Sequence, residues 1–391
     1  MPLARTEATF VSPIVESRRW LKGMTFSDDQ PLLNLSQAAP ADAPPEGLRR
    51  AMAEALLHET SSHLYGPVLG NDDLRAALAE QMSTHYQAPV KAEEIAITSG
   101  CNQAFAATIA CLCGEGDEVI LPTPWYFNHK MWLDMQGVTA LPLPVGVGML
   151  PEVARAEALI TERTRAIALV TPNNPCGVEY PADLLEAFFD LAKRRGLTLI
   201  VDETYRDFDS RTGAPHHLFQ RDDWQGTLVH LYSFSKAYRL TGHRVGAIAA
   251  GVGKLFEMEK FLDTVTICPA QVGQIGATWG IANLVQWLAG ERAEILDRRA
   301  AIEEGFAPLA AKGWKLLGVG AYFAYVEHPF AESSMEVAQK MLKEICVLML
   351  PGTMFTPEGA PEGQRQFRVA FANVDRAGIA EMIRRLATFE G

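Results

Sequence analysis

The stretch that decides the fold is a short apolar run followed at once by a lysine between hydroxyl side chains. It reads Leu228-Val229-His230-Leu231-Tyr232-Ser233-Phe234-Ser235-Lys236-Ala237-Tyr238-Arg239-Leu240-Thr241-Gly242-His243-Arg244-Val245-Gly246. The apolar run predicts a buried strand, which places Lys236 just beyond its carboxyl end. A partly desolvated lysine amine has a lowered pKa and can form a Schiff base, while Ser233, Ser235 and Arg244 can bind a dianionic phosphate. The stretch therefore predicts a pocket for a phosphorylated aldehyde.

Similar short apolar runs recur along the chain, with helical segments between them. Besides Leu228–Tyr232 they are Glu94–Thr98, Glu118–Leu121, Val138–Leu143, Ala166–Val170, Thr198–Val201 and Val245–Ala250. Alternation of this kind predicts an α/β fold with a mainly parallel seven-stranded sheet covered by helices on both faces. Ligands of such sheets bind beyond the carboxyl ends of the strands.

The pattern changes towards the C-terminus. A long helical stretch is predicted from about Trp279 through Gly305, followed by strands at Tyr322–Val326 and Phe367–Phe371 with helices around them. We interpret this part as a smaller α+β domain that the N-terminal segment joins. The predicted division is a large domain at 46–284 and a small domain made of 1–45 plus 285–391, with the proline-rich stretch at 40–45 as an extended connector.

Composition limits the classes of protein that the chain can belong to. It has 391 residues, of which 48% are hydrophobic and 21% charged, and a net charge of −12. The acidity argues against nucleic acid as a partner. No apolar run is long enough to cross a membrane and no signal peptide can be drawn, so the expected location is cytoplasmic. The six scattered cysteines predict neither disulfides nor a metal site.

Polar side chains follow two further predicted strands. Asn174 lies in the rigid turn Pro172-Asn173-Asn174-Pro175, and Asp202 ends the next strand, with Tyr205 three residues later. A carboxylate at this edge can keep a pyridine nitrogen protonated, which makes the ring a better electron sink. Tyr205 can donate to a ring oxygen from the same turn. Glu203, beside Asp202, is predicted to lie on the surface.

Three more segments carry candidate residues. The turn Thr98-Ser99-Gly100-Cys101 opens a predicted helix whose free N–H groups suit a phosphate, although by itself the stretch favours an ordinary turn with Ser99 as helix cap. Tyr126, preferred over Trp125, is predicted to stack on a flat ligand. Arg368 lies inside an apolar strand, where an inward guanidinium needs a carboxylate partner.

In this order and over nearly the whole chain, these motifs resemble the class I/II aminotransferases, the fold-type-I pyridoxal-phosphate enzymes of the aspartate aminotransferase superfamily. The resemblance implies pyridoxal 5'-phosphate as cofactor, with Lys236 as its Schiff-base lysine and proton carrier. It implies Asp202 as partner of the pyridine nitrogen, and Tyr205 and Asn174 as donors to the ring hydroxyl oxygen.

The other assignments also follow from the resemblance. Phosphate-binding positions match Ser99, Gly100, Cys101, Ser233 and Arg244, and the stacking position matches Tyr126. His129 matches a histidine that supports the ring-nitrogen aspartate. Arg368 matches the clamp for the substrate α-carboxylate. Tyr65 is similar to a tyrosine that crosses to the neighbouring subunit's phosphate, which implies a homodimer.

Two positions depart from the family pattern. Ala38, in a loop expected to contact substrate, stands where the family usually has glycine, and its methyl group should reshape the side-chain pocket. Asn102 stands where some aspartate-using relatives carry a lysine for the distal carboxylate, which argues against dicarboxylate specificity by that route.

The implied activity is ping-pong transfer of an amino group between an L-amino acid and a 2-oxo acid. Two alternatives stay open. A β-lyase of sulfur amino acids shares fold and cofactor. A pyridoxal-phosphate-binding regulatory protein without turnover is the other, although those that use this fold typically append a DNA-binding domain, for which the N-terminal segment is too short. Neither the amino donor nor the oxo-acid acceptor can be assigned.

Overall fold

The computed structural model describes residues 4–391. The helices are α1 Pro13–Trp20, α2 Glu46–His58, α3 Asp72–Tyr86, α4 Cys101–Leu112, α5 Phe127–Gln136, α6 Val153–Leu159, α7 Ala182–Arg195, α8 Trp224–Thr227, α9 Phe234–Ala237, α10 Val252–Thr266, α11 Gln271–Asn283, α12 Val285–Gly305, α13 Ala307–Ala310, α14 Ser334–Glu344 and α15 Arg376–Thr388. The strands are β1 Leu33–Asn34, β2 Ile95–Thr98, β3 Glu118–Thr123, β4 Thr139–Pro144, β5 Thr164–Val170, β6 Thr198–Asp202, β7 Leu228–Ser233, β8 Gly246–Ala250, β9 Lys315–Gly320, β10 Phe323–Glu327, β11 Val347–Leu348, β12 Leu350–Pro351 and β13 Gln366–Ala370.

A seven-stranded sheet forms the centre of the fold, in the order β2-β8-β7-β6-β5-β3-β4. Strands β3 to β7 pair in parallel, whereas β8 runs antiparallel to both of its neighbours. The predicted α/β class and mainly parallel seven-stranded sheet are therefore confirmed. Each of the seven predicted runs became one of these strands.

Strand register brings the polar strand ends together. Asp202 at the end of β6 pairs with Val170 of β5 on one side and Leu231 of β7 on the other. On the β8 side, Gly246 pairs with both Ser233 and Thr98. Because the parallel strands end at one edge, the motifs that follow β2, β5, β6 and β7 lie next to each other.

A smaller sheet with the order β12-β13-β10-β9 is antiparallel, and a two-stranded parallel sheet joins β1 to β11. The N-terminal segment is tied to this C-terminal part. The Ala370 N–H donates to the Leu35 carbonyl at 2.9 Å, and Arg385 Nη1 donates to the Pro31 carbonyl at 2.7 Å. The smaller α+β unit built from both ends of the chain agrees with the prediction.

Buried apolar residues cover both faces of the large sheet and fill a separate cluster around the small one. The small cluster contains Leu35 from the N-terminal segment and Ile295 from α12, together with Tyr205 and Phe208 from the turn after β6. The turn that follows β6 of the large sheet therefore packs against the small sheet. The boundaries 46–284 and 1–45 plus 285–391 stay a prediction.

Helix α7 illustrates how local sequence determines an element. Its buried positions include Leu185, Phe188, Phe189 and Ala192, which recur at helical spacing and cover the sheet. Its last turn is basic, and Gly196 ends it in the left-handed region at φ 67°. The long helical stretch predicted from Trp279 to Gly305 is interrupted at Leu284, between α11 and α12. Leu284 is 6% exposed and packs in the core.

Within the described residues, no helix is both long and apolar enough to cross a membrane. All six cysteines are free thiols. Among residues 4–391, no group of three or more His, Cys, Asp and Glu side chains could hold a metal ion.

Replacing Phe188 tests the packing of α7 on the sheet. Phe188 has no exposed surface, so Phe188→Ala should lower the free energy of unfolding by about 3–5 kcal/mol through lost burial and a residual cavity. Arg194 is exposed on the same helix, so Arg194→Ala should change the free energy of unfolding by less than about 0.5 kcal/mol. Guanidinium denaturation at one protein concentration measures both variants. Equal losses would contradict the packing described here.

Candidate active site

A cleft of about 320 Å³ lies where the ends of β5, β6 and β7 face the small sheet and the N-terminal segment. Of the residues predicted for the site, it is lined by Ala38, Cys101, Tyr126, Asn174, Asp202, Tyr205, Ser233, Ser235, Lys236, Arg244 and Arg368. Residues that the prediction did not include as site residues line it as well: Ile14, Gln37, Ala39, Asn102, Phe127, Asn128, Val170, Thr204, Thr241 and Phe323. Residues far apart in sequence thus meet in one cleft.

One end of the cleft is a cradle for an anion. Gly100 stands before the first residue of α4 with φ +90°, and a Cβ there would come within 2.3 Å of Arg244 Nη2. The guanidinium can therefore pack on the turn only because position 100 is glycine. The first N–H groups of α4, at Cys101 and Asn102, have no helical carbonyl to bind. Arg244 Nη1 donates to Ser235 Oγ at 3.5 Å, and Ser233, the N-cap of α9, accepts a hydrogen bond from the Ser235 N–H. Charge, N–H groups and hydroxyls fit a phosphate.

Ser99 lies in this turn but not on the cleft lining. Its N–H donates to Gln103 Oε1 at 2.6 Å, a contact within the turn itself. The Gln103 side-chain amide in turn donates to Thr266 Oγ1, which ties the turn to the end of α10. In this chain Ser99 therefore supports the turn, and its predicted contact with phosphate stays a prediction.

Lys236 projects from α9 towards the N-terminal segment. Its Nζ donates to the Ala38 carbonyl at 2.7 Å. Burial, together with the positive charges of Arg368 and Arg244, lowers the pKa of this amine from 10.5 to about 8. An amine with a pKa near 8 exchanges its proton readily around neutral pH, as a nucleophile or a proton carrier must.

Asp202 is a buried carboxylate that keeps its charge. Its Oδ1 accepts hydrogen bonds from the N–H of Thr204 at 3.0 Å and the Thr204 hydroxyl at 2.7 Å. His129 Nε2 lies 3.2 Å from Asp202 Oδ2, close but poorly aligned for a hydrogen bond. Burial raises the pKa of Asp202, but His129 and Thr204 outweigh it, and the net pKa is below the ordinary value.

The histidine beside Asp202 is held by aromatic rings. His129 stacks on Phe105 with ring centroids 3.8 Å apart and meets the edge of Tyr126 at 4.9 Å. It is 3% exposed, and it does not line the cleft itself. His129 therefore contacts Asp202 from outside the cleft lining, and its supporting role stays a prediction.

Tyr126 and Tyr205 contribute aromatic surface to the cleft. The Tyr126 hydroxyl donates to Asn102 Oδ1 at 3.2 Å, and Trp125, the alternative aromatic, packs in the core instead. Tyr205 meets the edge of Phe323 at 5.3 Å. Burial raises the pKa of both tyrosines, so each hydroxyl stays protonated and able to donate.

Arg368 is the most unusual group in the cleft. It is 3% exposed, its Nη1 donates to Asn174 Oδ1 at 3.0 Å, and its Nη2 donates to the Ser36 carbonyl. No carboxylate of the described chain pairs with it, and its Nε has no hydrogen-bond partner there. Burial lowers its pKa to about 10, which still leaves it charged at neutral pH. A buried cation needs a partner of opposite charge, and a ligand carboxylate can supply it through two hydrogen bonds to the guanidinium.

The charges of the cleft do not balance. Lys236, Arg244 and Arg368 face a single carboxylate, Asp202. A ligand that carries a phosphate and a carboxylate would supply the missing negative charge at both ends. The fit to a phosphorylated pyridine and an amino acid therefore rests on charge as well as on shape.

Two predicted positions lie differently from the rest. Tyr65 is 81% exposed and outside the cleft, so within one chain it takes no part in the site. Glu203 is 1% exposed, so its predicted surface position is wrong. It accepts hydrogen bonds from the hydroxyl of Tyr86 and contacts His230 at 2.8 Å and His216 at 3.1 Å. No local pattern announced this network, because its members come from four separate segments.

The comparisons with known proteins agree with this geometry. The family model described as aminotransferase class I and II matches residues 30–386. The chain therefore belongs to the class I and II aminotransferases, which are pyridoxal-phosphate-dependent transferases.

Among curated proteins, the chain is 27% identical over 363 residues to the aromatic aminotransferase ISS1 of Arabidopsis thaliana, covering 90% of this chain and 88% of that protein. It is 29% identical over 339 residues to the arginine–pyruvate transaminase AruH of Pseudomonas aeruginosa, covering 84% of each. Among solved structures, the aspartate aminotransferase of Thermus thermophilus with maleate superposes with a TM-score of 0.87 at 24% identity, covering 99% of each chain. These relatives differ in the substrates that their names give.

The lowered pKa of Lys236 predicts a pH profile. The test uses cofactor-free protein and trinitrobenzenesulfonate, with the modified lysine identified by peptide mass spectrometry. The rate at which Lys236 is modified should rise with pH through a midpoint near 8, because only the unprotonated amine reacts. Arg368→Leu removes one of the charges that lower this pKa and should move the midpoint upward. A midpoint in unmodified protein at about 10.4, the value of a free lysine, would contradict the burial of this amine.

Proposed function

We propose that the protein transfers the amino group of an L-amino acid to a 2-oxo acid, with pyridoxal 5'-phosphate as cofactor and Lys236 as the residue that holds it and moves the proton. One observation carries the proposal. A lysine of lowered pKa, a buried ionised aspartate and a buried arginine without a counter-ion line the same cleft. Each matches a different chemical part of the two ligands.

Specific residues would hold the cofactor. Gly100, Cys101, Ser233, Ser235 and Arg244 surround the anion cradle, and Ser99 supports its turn. Tyr126, Asp202, Tyr205 and Asn174 are the groups for the ring. When bound, pyridoxal phosphate supplies an aldehyde and a ring that withdraws electrons from the substrate's α-carbon.

Asp202 acts on the ring nitrogen. Because its carboxylate stays ionised in a buried place, it can hold a proton on that nitrogen as an ion pair. His129 and Thr204 keep Asp202 charged and oriented, so they are positioning residues. Loss of either should weaken the cofactor's electron withdrawal without removing the cofactor.

Lys236 moves the substrate proton. Its Nζ has a pKa near 8, so at neutral pH it can take a proton from a carbon acid and return it. The Ala38 carbonyl, 2.7 Å away, gives the freed amine a hydrogen-bond partner within the cleft. The same group thus serves as tether and proton carrier.

Arg368 binds the substrate's α-carboxylate. Its contacts with Asn174 and with the Ser36 carbonyl hold the guanidinium in place. A bound carboxylate would supply both the missing charge and a partner for the free Nε. Ala38 and the neighbouring Gln37 then face the rest of the substrate.

We further propose a homodimer in which Tyr65 reaches the partner's phosphate cradle. Tyr65 is 81% exposed beside the exposed Leu64 and Leu56, and this apolar surface on one chain supports an interface there. The cytoplasmic location stays a prediction.

Replacing Lys236 is the direct test. Lys236→Ala should lower amino-group transfer from a panel of amino acids to 2-oxoglutarate, pyruvate and oxaloacetate by at least roughly 100-fold, because proton-transfer groups contribute about 10²–10⁴-fold. Lys343→Ala, at an exposed position of α14, should leave activity unchanged. Near-normal turnover by Lys236→Ala would refute the assignment. Release of ammonia and pyruvate without oxo-acid exchange would instead favour the β-lyase.

Replacing Arg368 tests the carboxylate clamp. Arg368→Leu should raise KM for amino acids roughly 10- to 100-fold, since hydrogen bonds to charged groups contribute about 1.5–3 kcal/mol each. Arg368→Lys keeps the charge but loses the planar guanidinium, so its KM for amino acids should lie between those of the unmodified protein and Arg368→Leu. Amines that lack the carboxylate serve as the substrate control, because their KM should not respond. An unchanged KM for amino acids would remove Arg368 from the site.

A further inference from the structure

A second cleft, of about 390 Å³, lies between the turn after Tyr205 and helix α12. Its lining includes His85, Arg206, Asp207, Asp209, Arg211 and Arg292, and Ala289 and Leu288 of α12 close one side. It shares no lining residue with the candidate active site. Nothing in the proposed reaction uses it.

Arg206 lines this cleft, and its buried guanidinium has N–H groups without a hydrogen-bond partner in the described chain. It is 3% exposed, and its Nη2 donates to Gln81 Oε1 at 2.6 Å. Its Nε and Nη1 have no hydrogen-bond partner in residues 4–391. The guanidinium carbon lies 3.8 Å from the centroid of the Tyr232 ring, so that ring covers a face of the group. Stacking leaves the in-plane N–H groups free, and buried N–H groups of a cation are costly to leave unpaired.

The nearby carboxylates do not satisfy Arg206. Asp207 Oδ2 lies 3.9 Å from its Nε, beyond hydrogen-bond distance, and accepts the Tyr232 hydroxyl at 2.8 Å. Asp209 is occupied by the side chain and N–H of Arg211. Glu203 is bound by Tyr86 and the two histidines described above.

The lining carries an excess of positive charge. The Arg292 guanidinium donates hydrogen bonds to three backbone carbonyls, those of Asp209, Ser210 and Arg211. Three guanidinium groups of the lining thus face two carboxylates. The imbalance equals one negative charge.

His85 adds a neutral donor to the same cleft. Burial and the charge of Arg206 lower its pKa to about 4, so its imidazole is uncharged at neutral pH. Its Nε2 is buried and has no hydrogen-bond partner in the described chain. A neutral imidazole carries one N–H, which this nitrogen can present to an acceptor.

We propose that this cleft binds a small oxyanion, either a phosphate or a carboxylate, through Arg206 and His85. Both side chains line one cavity and keep N–H groups that have no partner in the described chain, and the charged groups of the lining leave one positive charge unbalanced. The proposal is independent of the transamination proposed above, because no residue is shared.

Calorimetric titration of the cofactor-loaded protein with inorganic phosphate and, separately, with acetate tests the site. Ala289 is exposed on α12 at the cleft, so Ala289→Glu adds a negative charge without disturbing the core. It should raise Kd of the bound anion at least about ten-fold, or about 1.4 kcal/mol. Arg206→Gln should have an effect of at least the same size. The anion that binds more tightly identifies the source chemistry.

Two controls locate the binding. Ala289→Gln has the size of the glutamate variant without its charge and should leave Kd within roughly two-fold, well under the 1.4 kcal/mol of a ten-fold change. Arg368→Leu removes the carboxylate clamp of the active site and should leave the Kd of phosphate unchanged. Binding that is lost in Arg368→Leu, or that ignores Ala289→Glu, would overturn the proposal. Failure of both anions to saturate the protein would also overturn it and would mean that water alone fills the cleft.

Discussion

Uncompensated positive charge in a buried cleft is the constraint on which the rest of this structure depends. Lys236, Arg244 and Arg368 are held where burial lowers the pKa of the lysine and of Arg368, and only Asp202 opposes them. Removing a cation from water is costly unless a partner replaces the lost hydration. The fold holds these groups in place by the backbone that carries them and by neutral hydrogen-bond acceptors. The negative charges that would balance them must come from the ligands.

Those neutral acceptors come from segments that are distant in sequence. The Ala38 carbonyl receives Lys236, and the Ser36 carbonyl and Asn174 receive Arg368. The N-terminal segment therefore bridges the large sheet and the small one at the site itself. Its pairing with β11 and its hydrogen bond to Ala370 fix this bridge, so the small sheet has a direct part in placing the lysine.

The turn after β6 serves two clefts with consecutive residues. Asp202 and Tyr205 line the active site, whereas Arg206 and Asp207 line the second cleft, and Glu203 is buried among histidines. In both clefts a buried guanidinium retains donors that no described residue satisfies. The physical argument for an anion is therefore the same in each, although only the first cleft contains groups suited to chemistry.

The sequence by itself determined the seven strands, the motifs at their ends and the order in which those motifs occur. These depend on local properties: apolar runs, glycine at a left-handed position and polar residues directly after a strand. It also pointed to Asp202, Lys236 and Arg368, because a charged side chain at the end of or within an apolar strand requires a partner.

Only the tertiary structure decided which segments meet. The break at Leu284, the burial of Glu203, the contact of Ala38 with Lys236 and the free donors of Arg206 all depend on packing between segments far apart in the chain. A hydrogen bond or a buried charge is a property of two surfaces in contact, and a single stretch of sequence contains only one of them. That is why the chemistry of the site could be predicted from residue types, whereas its charge balance and the second cleft could not.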